Sequence, residues 1–397
     1  MGTFRRVIHL WLSDGARTHD VGPISADDAG DAPFSSLLYT NDELFALYAK
    51  KGASEGSDIL VFARLPEQLQ RIKTVLQTWN DVDGRVAKLC SSDTPTVAEG
   101  AAEPAAACVG ATPTEGLVGF LSNNGNNTHW KDEYLGAGAT VSGEAKKVAN
   151  GFALAGRGAQ IAWPVDRDGH GPGHGSAGEE VTLVATVTIN KAPLTATPLL
   201  GVMTMPTGSY LGLWYDEHKR WKTKFGTEGA SAQTMTWEEG RAYRVVLTVK
   251  NGSGSAYVDG RLVGSLENKP PFTDAFPPPP PPLPSDEPPR ERPPERVSHI
   301  FVGEYRYDEE NAEFHVTVTN VLLYSRCFDA SEVAALERKE EDASAPGLNN
   351  ASAALAKGAA GTVQREAGGG DGAVRGCVSR LLLLLALLGL WGTTALC

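Results

Sequence analysis

Two short stretches of the sequence contain residue types that could perform chemistry. The first, PFSSLLYTNDELFALYA (33–49), predicts an antiparallel hairpin because two apolar-rich runs flank the turn TND. A hairpin at the rim of an active site usually presents a nucleophile or a charge, and this one carries Phe34 and Ala49 at its ends. Tyr39 and Tyr48 fit half-buried strand positions better than catalytic ones, because strand alternation fixes the face of each side chain.

The second stretch, DRDGHGPGHG, sets Asp166, Asp168, His170 and His174 close together. Carboxylates and imidazoles at such spacing can hold a divalent metal. Calcium, however, prefers oxygen ligands, and a glycine-rich loop with two histidines is typical of a solvated turn. We therefore predict no metal site and no cofactor.

The segments that would position these residues follow from hydrophobic periodicity. Residues 1–64 contain short apolar runs bounded by Gly, Asp or Asn, which predict β-strands. Residues 65–90 repeat apolar side chains at three- and four-residue steps, which predicts one long amphipathic helix with Pro66 in its first turn. After an Ala-, Pro- and Thr-rich linker at 91–114, residues 115–328 alternate strand after strand and predict a β-sandwich.

Three segments stand apart from these strands. The proline-rich insertion 270–296 cannot join a β-ladder, because proline lacks an amide donor, so we predict an exposed polyproline segment there. Asp329 and Glu332 form a capping pattern, which predicts a short helix at 329–341. The Ala- and Gly-rich residues 342–370 predict a disordered stalk.

The charge balance argues against one class of partner. The 397 residues carry a formal net charge of −12, with a sequence pI near 5.2. Arg290, Arg292 and Arg296 cluster, but Glu291 and Glu295 lie between them. Because phosphate backbones require a basic surface, we predict no nucleic-acid binding.

The C-terminal stretch predicts a lipid anchor. Small residues follow Asp371, a polar spacer comes next, and an apolar run from Leu381 to Trp391 follows. This order is typical of a GPI-attachment signal at 371–397, with Asp371 as the best attachment residue and Gly370 or Gly372 as the alternatives. A tail-anchored or single-pass helix is the alternative, although the run is short for a span.

A GPI protein enters the secretory pathway, so a signal peptide is expected at its start. The opening MGTFRRVIHLWLSDG has an apolar run that is too short and is broken by His9. We therefore expect either a truncated gene model or a pseudogene-like remnant of a cell-surface protein.

Secretion would also permit two covalent modifications. Cys90 and Cys108 are the natural disulfide pair in that case, with two free thiols as the alternative. Asn126, Asn251 and Asn350 begin Asn-x-Ser/Thr sequons in loop-like stretches, so they are predicted N-glycosylation acceptors if the chain reaches the endoplasmic reticulum.

Several motifs are familiar: HLWLSDGARTHDVGPIS, SSLLYTNDELFALY, RIKTVLQTWNDVDGRVAKLC, AYVDGRLVG and VTVTNVLLYSR. Together they closely resemble the C-terminal part of the trypanosomal trans-sialidase superfamily, over nearly the whole chain. The family signature VTVxNVxLYNR is matched from Val316 to Arg326, with Ser325 in place of Asn.

The resemblance implies a mainly β fold. The expected architecture is a concanavalin A-like (laminin-G-like) β-sandwich preceded by a partial sialidase β-propeller and a long linking α-helix. The remnant of the propeller would occupy residues 1–64. The Asp-box repeat SxDxGxxW of the earlier blades is absent from the sequence.

The resemblance also implies what the hairpin lacks. Active members place a nucleophilic tyrosine where this sequence has Phe34, and a glutamate where it has Ala49. The mechanism needs a phenol oxygen to attack the anomeric carbon and a carboxylate to take its proton. Neither residue supplies these groups, so the resemblance implies that the chain is not an enzyme. Arg5 or Arg6 would be the remnant of an arginine that binds the substrate carboxylate, with Arg6 as our choice.

The function implied is a catalytically inactive, GPI-anchored surface glycoprotein. It would be an adhesin or an antigenic decoy that contacts host-cell or matrix glycoproteins, or sialylated and other glycans, through its lectin-like domain. The alternatives are a truncated gene model of a trans-sialidase or exo-α-sialidase, and a pseudogene.

Two sets of residues would serve such contacts. The first set is Leu322, Leu323 and Tyr324. It corresponds to a tripeptide that the family resemblance implicates in host contacts. Their alternation equally fits a core strand. The second set would stack on sugars if exposed, with core packing as the alternative, and it consists of Trp214, Tyr215 and Trp221.

Overall fold

The fold is taken from a computed structural model of the chain. The structure describes nine segments of the chain: 7–25, 35–51, 58–89, 112–165, 179–225, 231–250, 252–266, 295–303 and 314–336.

The first part of the chain forms two small sheets and a helix. A two-stranded sheet pairs β1 with β2, and a three-stranded sheet has the order β3-β4-β5. The elements are β1 (His9–Ser13), β2 (Thr18–Pro23), β3 (Ser35–Thr40), β4 (Glu43–Lys51), β5 (Asp58–Arg64) and α1 (Pro66–Val86).

The second part is almost entirely strand. Its elements are β6 (Leu117–Gly125), β7 (His129–Asp132), β8 (Ala139–Val148), β9 (Gly151–Pro164), β10 (Glu180–Ile189), β11 (Thr197–Met205), β12 (Tyr210–Tyr215), β13 (Arg220–Phe225), β14 (Ser231–Thr236), β15 (Ala242–Lys250), β16 (Ser253–Val258), β17 (Arg261–Leu266), β18 (Arg296–Gly303), β19 (Phe314–Tyr324) and α2 (Ala330–Ala335).

These strands form one hydrogen-bonded sheet that folds back on itself. Its order is β14-β13-β12-β11-β18-β9-β8-β7-β6-β19-β10-β15-β16-β17, and β9 also pairs with β19. The first half of β9 pairs with β19, and its last five residues pair with β18. Gly156, the last residue paired with β19, and Gly158, between the paired halves, have φ of +73° and +68°, a conformation that glycine adopts without strain. The two ends of the sheet therefore face each other, with β13 against β17 and β12 against β16.

One hydrophobic core fills the space between these two layers. Among its largest fully buried side chains are Trp130, Phe152, Tyr215, Trp221 and Trp237. Strand alternation places these side chains in the core, because every second residue of a strand points to the same face.

A second core lies on the outer face of one layer, beneath α1. The helix buries a stripe of Leu69, Ile72, Val75, Trp79, Val82 and Val86. These side chains pack with Phe120, Val184, Val246 and Leu322 of the sandwich and with Leu10 and Leu44 of the small sheets. The helix therefore joins both parts of the chain through a continuous apolar contact.

The mainly β fold class predicted from the sequence is confirmed. The long helix within the predicted 65–90 segment spans Pro66–Val86, with a turn after it. Within the described segments, no helix combines the length and the apolar character needed to cross a bilayer.

Replacing Ile72 with alanine tests the second core. Ile72 is buried in the α1 stripe, so Ile72→Ala is expected to lower the free energy of unfolding by about 2–5 kcal/mol through lost burial and a residual cavity. Chemical denaturation measures this change. Gln77→Ala, on the exposed side of the same helix, is the control. Equal effects of the two substitutions would contradict the packing described.

Candidate functional site

The predicted hairpin at 33–49 is formed by β3 and β4. Ser35 pairs with Tyr48 and Leu38 with Phe45. Asn41 and Asp42 make the turn with φ of 49° and 60°, as expected for a two-residue turn that matches the twist of the strands.

The positions compared with catalytic residues are only partly described. Ala49 lies in β4 opposite Leu60 and is fully buried. Phe34 and Arg6 lie outside the described residues. The structure therefore places only one of the three, and places it in the interior of a sheet.

One phenol of the hairpin does face a carboxylate. The Tyr39 hydroxyl donates to Asp42 at 2.9 Å, and Lys73 of α1 donates to both oxygens of Asp42 at 2.8 and 2.9 Å. Burial and the neighbouring Asp42 raise the pKa of Tyr39. A raised pKa keeps the phenol protonated, which is the opposite of what an activated nucleophile requires. The cluster ties the hairpin turn to the helix.

The hairpin sheet has one buried and one exposed face. Leu44, Ala46 and Tyr48 point towards the second core. The opposite face exposes Leu38 by 53% and Phe62 by 64%, and the rings of Phe45 and Phe62 stack at 5.1 Å. A contiguous exposed apolar face of this kind is typical of a surface that contacts another part of a protein.

A buried arginine fixes the first sheet to the helix and the sandwich. Arg17, in the β1–β2 turn, donates from both terminal nitrogens to Asp83 of α1 at 3.0 and 3.2 Å, and from Nε to Asp14 at 2.8 Å. Its guanidinium carbon lies 5.2 Å from the ring centroid of Trp79 and 4.7 Å from that of Tyr134. The Tyr134 hydroxyl also donates to the Asp83 carboxylate, at 2.6 Å. We call these five residues the Arg17 clamp.

The guanidinium of Arg17 remains protonated in the clamp. Burial alone would lower the pKa of Arg17, but the hydrogen bonds and charges of Asp83 and Asp14 outweigh it and raise that pKa. Because Arg17 is largely buried, its ion pairs are screened less than surface pairs are.

A buried carboxylate holds Tyr134 in place. Asp132 accepts hydrogen bonds from the backbone N–H groups of Phe120, Tyr134 and Gly136 at 2.8, 3.1 and 3.1 Å. Burial raises the pKa of Asp132 to about 7, against the lowering effect of these bonds. The Trp79 indole donates to the Tyr134 carbonyl at 3.1 Å, so the loop is held from both sides.

No sequence pattern predicts the Arg17 clamp. Arg17 and Asp83 are separated by 66 residues, and neither belongs to a motif with a recognised mechanism. Trp79 lies on the apolar stripe of the predicted helix, but no local signal joins it to Arg17 or Asp83.

The tripeptide predicted to contact a ligand is buried. Leu322, Leu323 and Tyr324 are 0%, 7% and 0% exposed. Leu322 and Tyr324 belong to the core beneath α1, Leu323 belongs to the core between the layers, and the Tyr324 hydroxyl donates to the carbonyl of Pro113. The structure therefore argues against ligand contact through these side chains, because both faces of the strand are covered.

The three aromatic residues considered for sugar stacking are buried as well. Tyr215 and Trp221 are inaccessible and point into the core between the layers. Trp214 points to the opposite face of β12, beside Tyr210, with the Lys224 ammonium 5.1 Å from its ring centroid. Core packing, the alternative considered above, describes all three.

Comparison with known proteins assigns the family. The model of the family described as "Trans-sialidase, C-terminal domain" matches residues 113–331, and the model of the "BNR repeat-like domain" matches residues 2–49. The chain belongs to the trans-sialidase family. This confirms the resemblance found in the sequence.

Individual relatives agree with this assignment. A sialidase of Trypanosoma cruzi is 34% identical over 80% of this chain and 25% of its own length, and Sialidase 85-1.1 of the same organism is 30% identical over 97% of this chain and 48% of its own length. The solved Trypanosoma rangeli sialidase in complex with sialic acid is 36% identical, with a TM-score of 0.65, over 83% of this chain and 48% of that one. The chain thus spans between a quarter and a half of these relatives.

These findings correct one prediction. The resemblance implied that this trans-sialidase family member is not an enzyme, because Phe34 and Ala49 lack the required oxygens. That prediction is wrong: the relatives are named sialidases, and one is solved with sialic acid bound. Two positions of one hairpin do not outweigh likeness over most of the chain, and the structure describes only Ala49 of the two.

Other predicted sites fall largely outside the described residues. These are the pair Cys90 and Cys108, the sequons at Asn251 and Asn350, and Asp371. The loop residues Asp166, Asp168, His170 and His174, for which no metal site was predicted, also lie outside them. Where the structure does describe the chain, no cluster of three or more His, Cys, Asp or Glu has the geometry for a metal. Asn126 is described and exposed.

Replacing Arg17 with alanine tests whether the Arg17 clamp stabilises this trans-sialidase family member. Arg17→Ala is expected to lower the free energy of unfolding by about 2–4 kcal/mol, because Asp83 loses its partner while partly buried. Thermal or chemical unfolding measures this change.

The control for this test is Arg64→Ala. The Arg64–Glu43 pair is exposed, so its loss is expected to cost less than about 1 kcal/mol. If the two substitutions destabilise the protein equally, the Arg17 clamp does not hold the two parts of the chain together.

Proposed function

We propose that this chain corresponds to the C-terminal half of a sialidase, which hydrolyses or transfers terminal sialic acid of sialylated glycans. The observation that carries the proposal is the likeness to the Trypanosoma rangeli sialidase, at 36% identity and a TM-score of 0.65 over 83% of the chain. Likeness at this level, over both the BNR-like segment and the C-terminal domain, supports a shared substrate class.

Two features of the structure support the proposal. The exposed apolar face of the β3–β5 sheet is a surface that further parts of a sialidase fold would cover, since these relatives extend well beyond the matched portion. The Arg17 clamp and the Tyr39–Asp42–Lys73 cluster hold this sheet and the β1–β2 hairpin against α1. A sheet held in this way would present its free face in a fixed orientation.

One residue is proposed to contact the substrate. Arg6 directly precedes the segment that leads into β1, and its guanidinium would pair with the sialic acid carboxylate. Arginine suits this role because its planar fork donates two parallel hydrogen bonds to a carboxylate.

A fluorogenic sialoside tests the proposal on the gene product purified from the cell that makes it. We expect release of the fluorophore, inhibited by a sialic acid analogue, because the protein shares the sialidase fold. With a galactoside acceptor present, formation of a sialylated product distinguishes transfer from hydrolysis. No release above a heat-inactivated sample, while the Trypanosoma rangeli enzyme is active in the same assay, would refute the proposal.

Matched variants test the hairpin in the same assay. Phe34→Tyr supplies a phenol at the position that the resemblance compares with the nucleophile, so its rate is expected to rise. Tyr39→Phe removes a phenol that the structure assigns to the hairpin turn, so its rate is expected to match that of the unaltered protein.

A second candidate function is adhesion. The sandwich has its own core, separate from the core beneath α1, so it can act as a binding module beside a catalytic one. The proposed partners are host-cell or matrix glycoproteins, and the proposed location is the cell surface, through a GPI lipid at Asp371.

Phospholipase C treatment tests the location, and glycoprotein capture tests the contact. We expect phosphatidylinositol-specific phospholipase C to release the protein from intact cells, because a GPI lipid would be its only attachment. We expect the released protein to bind an immobilised sialylated glycoprotein more tightly than the same glycoprotein after desialylation. Retention on treated cells would contradict the anchor, and equal binding would contradict recognition through sialic acid.

A further inference from the structure

The β6–β7 loop carries the one sequon that the described residues contain in full, Asn126-Asn127-Thr128. All three residues are exposed. An N-linked glycan is bulky and hydrated, so it requires an exposed asparagine. The loop meets this first condition.

The hydrogen bonds of the loop distinguish the amide oxygen of Asn126 from its amide nitrogen. Three donors converge on one atom: the Thr128 N–H at 3.0 Å, the Thr128 hydroxyl at 3.1 Å and the His129 N–H at 2.9 Å. The two backbone groups can only donate, so the atom that they approach is the carbonyl oxygen Oδ1. The amide nitrogen Nδ2 therefore points away from these donors, and no hydrogen bond of Nδ2 is found among the described residues.

This arrangement is compatible with an attached sugar. N-glycosylation substitutes Nδ2 and leaves Oδ1 as an acceptor, so the three bonds that shape the loop survive. The backbone N–H of Asn126 donates to the His129 carbonyl at 2.8 Å, and Lys147 donates to the carbonyls of Asn123 and Gly125 at 2.8 and 2.7 Å. The loop is thus held by contacts that a glycan does not displace.

We propose that Asn126 is an N-glycosylation site of this protein. The donor class is an oligosaccharide linked to a lipid through pyrophosphate. Nδ2 forms a bond to the anomeric carbon of the first sugar, the bond from that carbon to the phosphate oxygen breaks, the lipid pyrophosphate leaves with the electron pair, and Nδ2 loses one proton. The proposal does not depend on sialidase activity.

The experiment uses the full chain, secreted from a eukaryotic cell behind a cleavable leader so that entry into the endoplasmic reticulum is assured. The purified protein is deglycosylated with peptide-N-glycosidase F in ¹⁸O-water, which converts a glycosylated asparagine to labelled aspartate. Peptide mass spectrometry is expected to find the label at residue 126. An unlabelled residue 126 in the secreted protein would overturn the proposal, whether or not Asn251 or Asn350 carries the label.

Three variants separate the effect of the glycan from that of the turn. Asn126→Asp keeps the oxygen that accepts the three hydrogen bonds but has no amide nitrogen, so it is expected to lose the glycan and keep the melting temperature of the unaltered protein made in bacteria without glycans. Thr128→Ser keeps the sequon and its hydroxyl and is expected to be labelled, whereas Thr128→Ala is not. A mobility shift that persists in Asn126→Asp and is unchanged from the unaltered protein would place the glycans elsewhere and contradict the proposal.

Discussion

The contact between α1 and the outer face of the sandwich holds the two parts of this chain together. Its apolar component is the stripe from Leu69 to Val86, which packs against Phe120, Val184 and Leu322. Its polar component is the Arg17 clamp, in which one guanidinium joins the β1–β2 turn, the helix and a sandwich loop. Burial supplies most of the stabilisation, and the paired charges select one orientation, because an unpaired buried charge costs several kcal/mol.

The same contact explains why the family signature is a structural motif in this chain. The end of β19, residues 321–324 of that signature, lies between two cores: Val321 and Leu323 fill the space between the layers, and Leu322 and Tyr324 fill the space beneath α1. A strand that is covered on both faces reads as a nearly continuous apolar run, and such a run can be mistaken for an exposed binding motif. In this trans-sialidase family member, the run joins the sandwich to the rest of the fold.

The hairpin shows how local and tertiary information divide. The turn TND and its flanking apolar runs were enough to predict two antiparallel strands, because a two-residue turn needs residues that tolerate positive φ. The environment of Ala49, and the pairing of Tyr39 with Asp42 and Lys73, depend on segments far away in the chain. The raised pKa of Tyr39 likewise follows from burial and a neighbouring carboxylate, which no local pattern specifies.

By itself, the sequence determined the mainly β fold, the long helix and the family. Alternation of apolar and polar residues indicates strands, apolar residues at three- and four-residue steps indicate the helix, and contiguous motifs indicate the family. Only the tertiary structure decided which apolar residues are covered and which charges meet. Trp214 and Trp221, seven residues apart, point to opposite faces of their layer, and Arg17 meets an aspartate 66 residues away. The physical reason is that burial and pairing depend on how strands and helix close on each other, and that closure brings together residues with no relation along the chain.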